Sequence, residues 1–259
     1  MRFGQITAKI ASLSGVATIL AMSVNGQNQP ILTEGFESGK IDTAVWDART
    51  MGATISVEET EGAHGKYALH VHYPENAARN SYAFAVATHL PDSVRAHLFG
   101  RVYMKIVPGL GQNHYPLIFA GEPGWPISKF DEIGAYRATW QPSYQENKSP
   151  AGQGRGETTY HAEVGPPPNK WFLLEWEFND NPSEITYWVD GEKVMTLVAG
   201  EKAESVKFVW PKGSANASGL VGGYQEIGLG LRAWGMQAQP LDVYYDDLAV
   251  GTQRLGGIR

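Results

Sequence analysis

The sequence predicts an all-β fold, built as a sandwich of two antiparallel sheets. Three observations predict it. Apolar and polar residues alternate with period two along much of the 259-residue chain. Helical periodicity is scarce after the first 26 residues. Gly, Pro and Asn divide the alternating runs at short intervals. Strands that are apolar on one face need that face covered, and two packed sheets cover it most simply.

The N-terminal stretch "MRFGQITAKIASLSGVATILAMSVNGQNQP" sets Arg2 and Lys9 before an apolar run from Ile10 to Val24. Small and polar residues follow. This is the layout of a secretory signal peptide over residues 1–26, with cleavage after Ser23 or Gly26. A buried N-terminal helix is the alternative. The run is too short for a lasting membrane span. A single β-sandwich domain over 27–259 is then expected, as a secreted or periplasmic monomer with no membrane attachment after cleavage.

The strands follow in order. "KYALHVHY" places Tyr67, Leu69, Val71 and Tyr73 on one face and His70 and His72 on the other. "SYAFAVATHL" alternates larger residues with alanines. In "HLFGRVYMKIV", Leu98, Val102, Met104 and Ile106 oppose Phe99, Arg101, Tyr103 and Lys105. "NHYPLIFAGE" is a short apolar strand in which Pro116 predicts an edge or a bulge. "EIGAYRATW" reads as one strand carrying Arg137. "KWFLLEWEFND" sets Phe172, Leu174, Trp176 and Phe178 against Glu175 and Glu177. "EITYWVDGEKVMTLV" is a hairpin turning at Asp190-Gly191. "SVKFVW", "YQEIGLGLRAWG" and "LDVYYDDLAVG" supply three more strands. Residues 121–131, 141–169 and 213–223 read as loops, the second stiffened by Pro166 to Pro168.

The formal charge of -6 becomes more negative without Arg2 and Lys9. Such a surface does not suit nucleic acid. It leaves room for an acidic sugar in a locally basic cleft. The chain has no cysteine, hence no disulfide framework. In "YYDDLAVG", Asp246 shares its phase with Leu248 and Val250, and Asp247 with Tyr245. One carboxylate must therefore point into the sandwich or its rim, where a bare charge is costly. A bound cation, a local turn or a pair with Arg254 would each relieve it.

"ILTEGFESG", "VDGEKV" and "VYYDDLAVGTQRLG" resemble the polysaccharide-lyase-like concanavalin-type jelly rolls, nearest to the secreted cellulose-induced-protein-like and glucuronan-lyase-like group. The resemblance spans most of the chain after residue 26. It implies a structural Ca2+ where the first and last strands meet. Glu37 matches one ligand, Asp246 or Asp247 another, and main-chain oxygens near Ala63 to Lys66 would complete the set. It also implies a uronate-containing polysaccharide bound across the concave sheet and cleaved by β-elimination. That chemistry needs a group to neutralise the uronate carboxylate, a base, and an acid for the leaving oxygen. Arg101 and Arg137 match the first role, with Gln112 assisting. His114 or a tyrosine, Tyr103 first and Tyr187 or Tyr160 behind it, matches the proton-transfer roles. Lys105, Asn113, Trp188 and Tyr187 are expected to touch substrate, and Trp125 and Trp140 border the long loops. For each arginine a surface ion pair stays open, and for His114 a hydrogen-bonded loop position.

Other chemistries fit less well. A glucanase of this fold needs a strand of the type E-x-D-x-x-E, which neither "FDEIGA" nor "LEWEF" supplies. Glu175 and Glu177 share a face, so a glycoside hydrolase stays open, as does a non-catalytic carbohydrate-binding protein. No G-x-S-x-G, H-E-x-x-H or phosphate loop occurs. "HVH" has a strand spacing suited to a transition metal but lacks a third ligand in sequence. "NKS" and "NAS" are glycosylation sequons.

Overall fold

The structure is a computed structural model that describes residues 29–126, 128–146, 162, 164–180, 183–198, 220 and 222–258, side chains at 144–146, 183 and 198 excepted. The segment 1–26, "SVKFVW", Tyr160 and both sequons lie outside these residues.

Among the described residues, fourteen strands make up the regular structure, with one short 3-10 turn at Asp92–Val94. They are β1 (Leu32–Glu34), β2 (Trp46–Met51), β3 (Thr54–Glu59), β4 (Tyr67–Tyr73), β5 (Tyr82–Ala87), β6 (His97–Val107) and β7 (His114–Gly121). There follow β8 (Lys129–Tyr136), β9 (Thr139–Glu146), β10 (Phe172–Asp180), β11 (Ser183–Val189), β12 (Glu192–Val198), β13 (Glu226–Arg232) and β14 (Leu241–Gly251). The order β12-β11-β10-β6-β14-β4-β3, with β1 also paired to β14, forms an eight-stranded sheet. The order β2-β5-β13-β7-β8-β9 forms a six-stranded sheet. Every strand pairing is antiparallel. No described helix is long and apolar enough to cross a membrane.

The core lies between the sheets. Leu69, Val71, Tyr73, Leu98, Val102, Met104 and Ile106 meet Ala83, Ala85, Ile133, Leu229 and Leu231 there. The alanines of β5 face this core, while Phe84 and Val86 point outward into a second apolar cluster with Phe119, Trp125 and Phe130. Small residues on the inner face let the sheets approach, and a covering loop shields the larger outer set.

Three features differ from the sequence expectation, and the choice of edge or bulge at Pro116 is decided for the bulge. "EIGAYRATW" is two strands, not one: Arg137 and Ala138 take positive φ (50° and 61°) and turn β8 into β9. Residues 141–146, expected as loop, belong to β9, and Lys129–Asp131 begin β8. Strand β7 is interior rather than at an edge, and the register shift between Pro116 and Ile118 is the bulge that accommodates the proline. Strands β2 and β3 form where the sequence alternates poorly.

Gly100 shows how tightly the core is closed. A Cβ there would overlap the Trp176 indole. Replacing Gly100 with valine is expected to destabilise the fold by about 1–3 kcal/mol through overpacking, read as a lower denaturant midpoint with an unchanged slope.

Candidate functional site

The first candidate site is the junction of the terminal strands. On one edge β14 pairs with β4 from Leu241 to Tyr245, then with β1 from Leu248 to Val250. Asp246 and Asp247 occupy the gap between these partners. The register with β6 shifts between Asp246 and Ala249, and Asp247 has φ 51°. This bulge cancels the normal alternation, so both consecutive carboxylates reach the loop 60–66. Asp246 Oδ2 accepts the His64 backbone N–H at 3.1 Å, and Asp247 Oδ2 lies 2.6 Å from His64 Nδ1. From the other side Glu37 accepts the N–H groups of Lys66 (3.0 and 3.2 Å) and Tyr67 (3.1 Å). Gly65 has φ +78°, and a side chain there would overlap the Glu37 carboxylate.

Asp246 is fully buried, and its Oδ1 has no hydrogen-bond partner among the described residues. Burial pushes its carboxyl up to about 6, against the His64 N–H, while the Asp247 charge adds to the rise. The pair with Arg254 does not form, because Arg254 binds Glu175 at 3.0 and 2.7 Å. Lys66 O accepts the Thr60 N–H at 2.9 Å, so that carbonyl is engaged within the loop. Asp246, Asp247 and Glu37 offer carboxylate oxygen, the ligand type of a hard cation, but they hold the loop from opposite sides and their three ligand atoms do not all stand within 4.8 Å of one another.

The second candidate site is the outer face of the six-stranded sheet. Alternation with the core residues Tyr115, Ile133 and Leu231 turns His114, Glu132 and Arg232 outward. One half of the face is apolar. Gly228 lies under the Phe119 ring, and Trp125 stacks on Phe119 at 4.8 Å and 9°. The loop bearing Trp125 is held by Glu226, which accepts the Gly124 N–H (3.2 Å) and both Arg49 terminal nitrogens (3.0 and 2.8 Å). The other half is polar. His114 Nε2 lies 3.4 Å from Glu132 Oε1. The Trp234 ring lies parallel to His114, with centroids 6.1 Å apart at 5°. Arg232 stacks on Trp234 at 3.8 Å. Burial lowers the Arg232 pKa from its ordinary value and the Glu132 charge opposes that, leaving a cation at neutral pH.

At one end of this face Gln112 and Asn113 line a pocket of about 370 Å³ with Pro108, Met236, Gln237 and Pro240. Asn113 donates to Met236 O at 2.9 Å. Tyr136 pairs across from His114, and Arg137 lies over the Tyr136 ring at 5.2 Å, exposed at the rim. The structure therefore brings His114, Gln112, Asn113 and Arg137 to one region.

It does not bring Arg101, Tyr103, Lys105 or Trp188 there. All four lie on the outer face of the eight-stranded sheet, so Arg101 and Arg137 cannot share a cleft. The C-terminal segment covers part of that face. Arg101 Nη1 donates to Gly256 O at 2.6 Å, the Ile258 N–H donates to Tyr103 Oη at 3.2 Å, and Arg254 lies over Trp188 at 4.3 Å. Lys105 sits across from Tyr244. Tyr187, Trp125 and Trp140 are buried and present no ring to a sugar. The hydrolase pair is engaged too: Glu175 by Arg254 and Glu177 by His97 at 2.7 Å. Sequence reading missed Glu132, Arg232 and Trp234. For Arg232 and Trp234 the available signal was their phase, opposite to Leu229, Leu231 and Ala233; "FDEIGA" gave none for Glu132, because Phe130 shares its phase.

No protein-family model matches the chain, and no curated protein matches it in sequence. Solved structures do match. The cellulose-induced protein Cip1 is 18% identical over 88% of this chain and 100% of its own, with a TM-score of 0.65. The endo-β-1,4-glucuronan lyase of the fungus Trichoderma reesei is 16% identical over 87% of this chain and 96% of its own, at 0.59. The fold is that of the Cip1-like and glucuronan-lyase-like jelly rolls. A structure from work on endo-acting O-glycanases of the human gut microbiota that initiate mucin breakdown has the same fold, at 13% identity over 87% of this chain and 100% of its own, with a TM-score of 0.56. At these identities the likeness establishes the architecture, and function rests on the site.

Proposed function

We propose that this protein is a polysaccharide lyase that works outside the cytoplasm. It takes a uronate-containing polymer across the outer face of the six-stranded sheet and cleaves it by β-elimination. The observation that supports this is the patch of His114, Glu132, Arg232 and Trp234, rimmed by Gln112, Asn113 and Arg137. Arg232 and Arg137 neutralise the uronate carboxylate, which makes the adjacent C–H more acidic. His114 takes that proton, with Glu132 stabilising the imidazolium. Tyr136 protonates the leaving glycosidic oxygen as the C4–C5 double bond forms. The likeness of fold to a glucuronan lyase agrees with this reading. A second reading, binding without cleavage, is favoured by the burial of His114 (6% exposed) and Glu132 (1%).

The test is a screen on glucuronan, alginate and pectate, with unsaturated uronate ends followed by ultraviolet absorbance. The lyase reading expects new ends, a loss of at least about 100-fold in His114→Ala, a comparable loss in Arg232→Ala, and little change in Arg101→Ala. Retention on a polymer with no new ends supports binding alone. Activity that survives both His114→Ala and Arg232→Ala contradicts the assignment.

We also propose a structural Ca2+ at the β1–β14 junction, held by Asp246, Glu37 and Asp247. The ion would compensate the buried charge of Asp246. Without it the folded-state pKa of Asp246 lies above the unfolded value of about 4, so ionisation opposes folding. The chelated protein is expected to lose up to about 3 kcal/mol as pH rises from about 4 through about 6. Calcium should restore that stability at neutral pH and raise the melting temperature. An identical melt with and without chelator at pH 7, with no calcium found by elemental analysis, contradicts the site.

A further inference from the structure

We infer that the outer face of the eight-stranded sheet carries a separate site for a transition-metal dication such as Zn2+, built from His70, His72 and Asp242. The strand period puts both histidines on the outer face of β4. Strand β14 pairs with β4 so that Asp242 lies opposite His72 and Tyr244 opposite His70. The third ligand is therefore supplied by a strand 170 residues away in sequence. Asp242 Oδ1 lies 2.8 Å from His70 Nε2 and 2.8 Å from His72 Nδ1. One ligand atom from each residue falls within 4.8 Å of the others.

Hydrogen bonding alone serves this cluster poorly. A neutral imidazole carries a proton on only one nitrogen. His70 has a carboxylate oxygen beside each: Asp242 Oδ1 2.8 Å from Nε2, and Glu58 Oε2 3.0 Å from Nδ1. With neutral His70, one of these carboxylates faces a lone pair. A dication at the three converging atoms removes that conflict. Nε2 of His70 and Nδ1 of His72 then offer lone pairs to the metal, and the remaining proton of His70 sits on Nδ1 beside Glu58. A carboxylate behind a ligating histidine fixes its tautomer and raises its basicity.

The surroundings limit ligand motion. Tyr244 stacks on the His70 ring at 4.5 Å and 6°, and Trp171 lies against Tyr244 at 6.4 Å. Nitrogen and oxygen ligands at about 2.0–2.1 Å from zinc in tetrahedral array stand about 3.3 Å apart. The contacts observed at 2.8 Å must therefore open by about half an ångström, within reach of side-chain rotation. Side-chain exposures of 41% for His72, 26% for Asp242 and 11% for His70 leave a route from solvent and a coordination position for water. Two imidazoles and one carboxylate suit zinc, copper or nickel, whereas calcium takes oxygen alone. The site is therefore distinct in chemistry from the Asp246 junction on the same strand.

The experiment is zinc titration of the full chain with calcium in excess, by calorimetry and by the ring resonances of His70 and His72. One zinc per chain is expected, with both rings shifted and the melting temperature raised. His72→Ala and Asp242→Asn should each weaken binding at least about tenfold, and Glu58→Gln about tenfold through its hold on His70. Melting of each variant without zinc checks its fold, and His72 is exposed enough to be replaced without unfolding. Zinc affinity unchanged in both His72→Ala and Asp242→Asn would place the ion on another histidine and overturn the inference. So would no binding below about 1 mM zinc.

Discussion

Strand β14 changes partner once, and the change falls on Asp246 and Asp247. Before them it pairs with β4, after them with β1, and β6 runs along its other side throughout. The strand thereby joins the first strand of the described chain to the middle of the larger sheet. A continuous ladder would have sent one of the two side chains to the opposite face. The bulge at this point instead delivers both to the loop 60–66, which Glu37 holds from its far side. A buried carboxylate with an unpartnered oxygen is what the fold bears for this arrangement.

The outer faces of the two sheets are put to different uses. On the larger sheet, the segment after β14 folds back across β6 and β10, with Gly256 contacting both Arg101 and Glu175. On the smaller sheet, Gly228 lets Phe119 lie across the strands, and the Trp125 loop closes that half. What remains is a compact polar patch around His114, backed by a buried carboxylate and overlain by an arginine–tryptophan stack. A lone arginine on a sheet is most simply a surface ion pair. A buried Glu–His contact beside a desolvated cation is the kind of arrangement found at functional sites.

Much of the fold was legible because strand periodicity reports burial directly. "HLFGRVYMKIV" alternates along its whole length as its eleven residues alternate in the structure. The meeting of the first and last described strands was anticipated from the family resemblance of "ILTEGFESG" and "VYYDDLAVGTQRLG", not from strand periodicity. The site was less so. Periodicity tells which residues of one strand share a face, but not which sheet that strand joins. Arg101 and Arg137 looked like partners for that reason. The β8–β9 hairpin was hidden because its turn uses Arg137 and Ala138 at positive φ, where Gly or Asn is the usual signal. The third ligand for His70 and His72 was out of reach because only sheet register brings Asp242 to them.

The claim that carboxylates at the partner change of β14 hold the terminal strands and the loop together is tested most directly by amide hydrogen exchange in Asp246→Ala. The account predicts faster exchange at His64, Lys66 and Tyr67 and at Ile31, whose N–H bonds to Val250 O, with amides of β7 and β13 still protected. Unchanged exchange at all four positions would contradict it.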